Sequence, residues 1–74
     1  MDKKNYSAPA LDKGLDILEL LAVSSTGLTQ AEIAEHLNKS VNEIYRMLNT
    51  LKVRNYLEFD SSTDSYKLSY KLLN

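Results

Sequence analysis

Two helix-start signatures stand one short helix apart in this chain, and they constrain the fold more than any other feature. Thr29 is followed three residues later by Glu32, and Ser40 three residues later by Glu43. In each, the hydroxyl can accept from the backbone N–H of the third helical residue, whose carboxylate can reach back to the amide of the capping residue. The first precedes Ile33, Ala34 and Leu37; the second precedes Ile44, Met47, Leu48 and Leu51, an i, i+3, i+4, i+7 stripe. The spacing predicts a short helix over about 30–37, a tight connection at Asn38-Lys39, and a longer helix over about 41–53.

Upstream, Ser7-Ala8-Pro9 places proline at a first helical position, and Leu11, Leu15, Leu18, Leu21 and Ala22 follow at helical spacing, predicting a helix over about 9–23. Gly14 lies inside it at a cost of about 1 kcal/mol relative to alanine. Either another backbone passes close there or the helix tolerates the loss. Ser24-Ser25-Thr26-Gly27 is turn chemistry. Downstream, Asn55 stands where a helix end favours a left-handed residue. The period then changes: Tyr56 to Phe59 alternates, Asp60 to Ser65 is a polar turn, and Tyr66 to Tyr70 alternates again, predicting a β-hairpin. Leu57, Phe59, Tyr66 and Leu68 would face the helices and leave Glu58 and Lys67 in water. Tyr70 to Asn74 reads as the start of a further element.

The order predicted is three helices and a hairpin, a mainly α winged helix-turn-helix with a three-helix core and a wing. The expected organisation is a flexible arm over 1–8, the folded domain over 9–70, and the start of a truncated linker helix over 71–74.

The chain has 74 residues, enough for one small core and no separate catalytic or sensor domain. Its 43% hydrophobic and 26% charged residues are globular proportions, and without cysteine the core is expected to hold by packing alone. No apolar run approaches the roughly 20 residues of a membrane span, and the N-terminus lacks the apolar segment of a signal peptide, so a cytoplasmic location and no membrane partner are expected. His36 has no cysteine or second histidine to share a metal, and two glycines make no phosphate-binding loop. Neither catalysis, a metal nor a cofactor is expected.

A net charge of −1 is unlike most nucleic-acid binders, but the charge is uneven. In residues 10–35 the acids outnumber Lys13 by four; in residues 36–57, Lys39, Arg46, Lys52 and Arg54 outnumber Glu43 by three. Such asymmetry marks a nucleic-acid face or arises by chance. The apolar stripe of the third helix leaves Asn42, Glu43, Tyr45, Arg46, Asn49 and Thr50 on its other faces. Arginine can pair bidentately with guanine, asparagine with adenine, and glutamate can accept from cytosine, although an ordinary solvated face has the same composition. Thr29 and Ser40 are helix caps worth about 1 kcal/mol each, a role compatible with a phosphate contact. Lys13, Lys3 and Lys4 are secondary phosphate candidates. A module for protein–protein contact, using the acidic first helix, is the alternative.

Leu11 to Ala22, Gly27-Leu28-Thr29, Ile44 to Leu51, Asn55-Tyr56-Leu57, Thr63, Tyr66-Lys67-Leu68 and Leu72-Leu73 together resemble the N-terminal domain of the IclR family of transcription regulators. The resemblance covers nearly the whole chain from Ala10. It implies sequence-specific binding of double-stranded DNA, the third helix in the major groove and the wing along the backbone. It also implies a homodimeric repressor or activator whose effector-binding C-terminal domain lies outside this chain, which is then either an excised piece, as the unfinished Tyr70 to Asn74 favours, or a natural stand-alone module. Arg46 matches the basic residue of the family's recognition helix, and Ser40, Val41, Asn42, Glu43 and Tyr45 occupy the part pointed at the bases. Three departures stand against the pattern. Asn55 and Ser69 replace glycines, and the wing tip Ser62-Thr63-Asp64-Ser65 has no basic residue. Glu43 has two readings, as a cytosine acceptor or as the other half of a capping box with Ser40.

Overall fold

The computed structural model describes residues 8–69, in the order α1 (Pro9–Ala22), β1 (Leu28–Thr29), α2 (Gln30–Leu37), α3 (Val41–Val53), β2 (Leu57–Asp60) and β3 (Ser65–Leu68). Three helices pack with a three-stranded antiparallel sheet in the order β1-β3-β2, the winged helix-turn-helix predicted from the sequence. The arm, with Lys3 and Lys4, lies outside the described residues except for Ala8, as do Tyr70 to Asn74. Among the described residues no helix is long and apolar enough to cross a membrane.

Local chemistry sets the helix ends. No side chain caps α1; Pro9 opens it, and the Ala8 carbonyl accepts from Asp12 N at 2.8 Å. At α2 both halves of the capping box form, Glu32 N donating to Thr29 Oγ1 at 3.2 Å and Thr29 N to Glu32 Oε1 at 2.8 Å. Asn38 (φ 57°) ends α2 in the left-handed region, and two residues later Ser40 caps α3, its hydroxyl accepting from Glu43 N at 3.1 Å. The side chain of Gln30 reaches the Val41 carbonyl at 3.2 Å and ties the two helices across the turn. Here the reciprocal box expected at Ser40 and Glu43 is corrected: only the hydroxyl half forms, because the carboxylate of Glu43 is held elsewhere.

The core consists of Ile17, Leu21, Ile33, Ala34, Ile44, Leu48, Leu57 and Tyr66, two residues from each helix and one each from β2 and β3. Ile17, Ile33, Ile44 and Leu48 are the most completely enclosed side chains. The stripe expected on α1 is corrected: Ile17 and Leu21 point inward with Leu18 and Leu20 beside them, whereas Leu11 and Leu15 are 61% and 42% exposed. Five leucines and an isoleucine in one helix offer more than one helical stripe, and the position of the sheet selects among them.

The hairpin alternates as predicted, with Leu57 opposite Leu68, Phe59 opposite Tyr66, and Glu58 opposite Lys67, but the placing of Phe59 against the helices is corrected, since it stays 39% exposed outside the buried cluster. The sequence reading missed β1, whose Leu28 and Thr29 pair with Tyr66 and Ser65. Two residues carry no alternation to read, and the pairing depends on Gly27. Its φ is +84°, and a Cβ there would stand 2.9 Å from the Tyr66 carbonyl oxygen and 3.3 Å from Ser65 Oγ. Asn55 takes the left-handed conformation expected of it (φ 70°). Ser69 is buried, its hydroxyl donating to the Asn55 carbonyl at 2.6 Å and its amide to the Tyr56 carbonyl at 3.0 Å. The two glycine replacements therefore meet, and each is accommodated.

The two glycines differ in what they tolerate. The nearest atom to a Cβ on Gly14 is the flexible Met47 Cε at 3.8 Å, so no backbone crosses there and the helix tolerates the glycine. Gly14→Ala should stabilise the domain by up to about 1 kcal/mol, raising the midpoint of thermal unfolding by roughly 4–8 °C in circular dichroism. Gly27→Ala should lower that midpoint, at a cost of about 1–3 kcal/mol from the left-handed conformation alone, with amide exchange accelerated at Leu28 and Thr29.

Candidate nucleic-acid interface

Burial of Ile44 and Leu48, with Met47 and Leu51 packed at the core's edge, fixes the rotation of α3 about its own axis. Asn42, Arg46, Asn49 and Val53, at i, i+4, i+7 and i+11, form the opposite line, and all four are exposed. Tyr45, 52% exposed, lies a quarter turn away with Lys52, on the side of the wing. Glu43 and Thr50 lie on the other side, toward α1. Of the expected contact residues, the structure brings Asn42, Arg46 and Asn49 onto one outward line. Ser40 and Val41 are exposed at the N-terminal end of the helix, and Thr29 stands apart at the start of α2, half-buried and with its hydroxyl occupied by its cap.

Lys13 and Glu43 are brought together. The Lys13 ammonium on α1 forms a salt bridge with Glu43 Oε2, both side chains about one-third exposed. The hydrogen bond from Lys13 is the main influence holding the Glu43 carboxyl below its ordinary value, opposed by desolvation and aided by the charges of Lys13 and Lys39. The bridge sits in a shallow groove between the start of α1 and α3, lined by Pro9, Ala10, Lys13, Asn42, Glu43, Arg46 and Met47. Its apolar continuation is lined by Leu11, Gly14, Thr50 and Leu51. Arg46 borders both grooves and has no ion pair among the described residues.

The wing is anchored by aromatic packing. The Phe59 and Tyr66 rings are 4.9 Å apart and tilted by 54°, and Lys52 Nζ stands 5.5 Å from the Phe59 ring centroid. One of the basic residues counted along the sequence is therefore engaged with the hairpin, a partnership that spacing along the chain does not reveal. Desolvation of the buried Tyr66 phenol, reinforced by Tyr45 and Asp64, raises its pKa. At the tip, Asp60 accepts from the Ser62 amide at 2.9 Å and its hydroxyl at 2.6 Å, and these bonds hold its carboxyl below the usual range. With Asp64 in the left-handed region at φ 55°, the wing tip is a tight turn that carries two carboxylates. Lys39, exposed in the α2–α3 turn, contributes to the field at Glu43 and joins Arg46 as a cation near the start of α3; its charge was legible in the sequence, its placement was not.

Chemically, a line of two amides around a guanidinium on an exposed helix can donate to and accept from base edges and phosphates. Among the described residues no group of three or more His, Cys, Asp or Glu side chains converges to hold a metal.

The IclR helix-turn-helix domain family matches residues 10–61. The HTH-type transcriptional regulator BhcR of Paracoccus denitrificans is 49% identical over 57 residues, which is 77% of this chain and 20% of that protein. The crystal structure of an IclR transcriptional regulator from Alicyclobacillus acidocaldarius superposes with a TM-score of 0.85 at 28% identity, over 92% of this chain and 28% of that one. An IclR family regulator from Brucella abortus does so with 0.83 at 25% identity, over 96% and 27%. The chain thus spans about a fifth to a little over a quarter of the relatives it matches. Fold, helix order and sequence agree with those regulators over most of the chain: it belongs to the IclR family, as its DNA-binding helix-turn-helix domain.

Proposed function

We propose that this domain reads a specific double-stranded DNA sequence by inserting α3 into the major groove, with Arg46 as the principal contact and Asn42 and Asn49 on the same line. The supporting observation is the outward, unpacked row Asn42–Arg46–Asn49, held in place by burial of the opposite face. Ser40, Val41 and Tyr45 border that row, and Thr29 lies at the second helix start, where backbone amides suit a phosphate. The wing lies beside the backbone and contributes little neutralisation, since its tip is acidic. In the parent protein the module, residues 9–70, acts in the cytoplasm as one half of a homodimeric transcription repressor or activator, joined to an effector-binding C-terminal domain. No catalytic step is assigned to it.

A second reading rests on Leu11 and Leu15, whose exposure on α1 suits protein contact. The two are separated by NMR titration of the isotope-labelled domain with a generic duplex at low salt. Amides from Ser40 to Asn49 should shift, and the shifts should fade as salt rises. Arg46→Glu should weaken binding at least roughly tenfold and lower the salt slope by about one. An intact domain whose α3 amides stay unmoved would transfer the function to α1 and a protein partner.

A further inference from the structure

The two capping signatures provide an internal comparison. Glu32 and Glu43 occupy the same third position of their helices behind the same kind of hydroxyl cap. Glu32 folds back and accepts from the Thr29 amide, whereas Glu43 turns aside to the Lys13 ammonium. The difference is a cation on α1 across the groove. Glu43 is also the only acidic residue of α3, three residues before Arg46 and in the first turn of the helix. A bare carboxylate there would face the phosphate field and offset Arg46, its neighbour one turn along.

We propose that Lys13 is a positioning residue for DNA recognition: by pairing with Glu43 it neutralises the single carboxylate of α3 and holds it to the α1 side, clear of the Asn42–Arg46–Asn49 row. This rests on the reading that α3 enters the groove, and it assigns both residues roles other than direct contact. Lys13 acts through Glu43 and not through a phosphate, and Glu43 does not read cytosine. Because both side chains are partly exposed, the pair adds little to stability, and its loss leaves the fold intact.

The test is a double-mutant cycle on the 74-residue chain with Lys13→Met, Glu43→Gln and the pair together, measured against a random-sequence duplex and a randomised duplex pool at low salt. Lys13→Met should weaken binding roughly three- to tenfold. Glu43→Gln should stay within about twofold of the parent and select the same sequences, and the double variant should return to about the parent affinity. A double variant as weak as Lys13→Met would make Lys13 a phosphate contact, and altered sequence selection by Glu43→Gln would make Glu43 a base reader; either overturns the proposal. The carboxyl is read independently by carbon NMR. Since the bridge lowers the folded-state pKa, it persists above the ordinary glutamate range and is lost as pH falls through the lowered value. The Glu43 midpoint should rise in Lys13→Met, and an unchanged midpoint would show that the bridge does not form in solution. If the parent chain bound no duplex while its carboxyl midpoint responded to Lys13, the groove-reading assignment would fail and the bridge alone would stand.

Discussion

Burial of Ile44 and Leu48 against Ile17 and Ile33 is the contact on which the other arrangements rest. A helix with one face enclosed has its rotation fixed, so whatever lies opposite must meet solvent or a partner. On α3 that opposite face is asparagine, arginine, asparagine and valine. The same burial sets which flank meets the wing, through Tyr45 and Lys52, and which meets α1, through Glu43. Loss of either enclosed side chain would cost about 2–5 kcal/mol for truncation to alanine, a large share of what so small a domain has available.

Around that core the chain economises on structure. The β1 strand is two residues long, yet it closes the sheet on the side opposite β2 and joins directly to the Thr29 cap of α2. A glycine in the left-handed region makes the junction, since a side chain there would strike the Tyr66 carbonyl. At the other end of the hairpin, Ser69 bonds to the carbonyl of Asn55, so the turn out of α3 and the return of β3 are stitched together. These contacts hold the wing at a set distance from the outward face of α3, with the Phe59–Tyr66 pair and Lys52 between them.

Charge in this domain is arranged locally and not in bulk. A net charge of −1 gives the molecule as a whole no attraction to a polyanion, but the acids in the first turns of α2 and α3 are engaged within the fold. Glu32 is committed to a cap and Glu43 to Lys13. The exception is the wing tip, where Asp60 is held ionised by Ser62. Exposed cations lie elsewhere, with Lys39 in the α2–α3 turn and Arg46 on the outward face of α3.

Much of this was legible in the residues themselves. The capping signatures at Thr29 and Ser40 located α2 and α3, Asn55 marked the end of the helical part, and alternation marked the strands of the hairpin, because hydrogen bonding at helix ends and the two-residue period of a strand are local physics. Other features needed the third dimension. Nothing along the chain separates the inward Ile17 and Leu21 from the outward Leu11 and Leu15, since a leucine-rich helix is apolar on several faces and only the sheet's position decides which is enclosed. A two-residue strand has no period, and its existence depends on β3 arriving beside Gly27. Lys13 and Glu43 lie thirty residues apart, so the choice between a reciprocal cap and a bridge was made by the approach of α1 to α3. The sequence by itself determined where the helices and the hairpin start, stop and turn; tertiary packing decided which faces were left exposed and which charges were already paired, because both depend on neighbours distant in the chain.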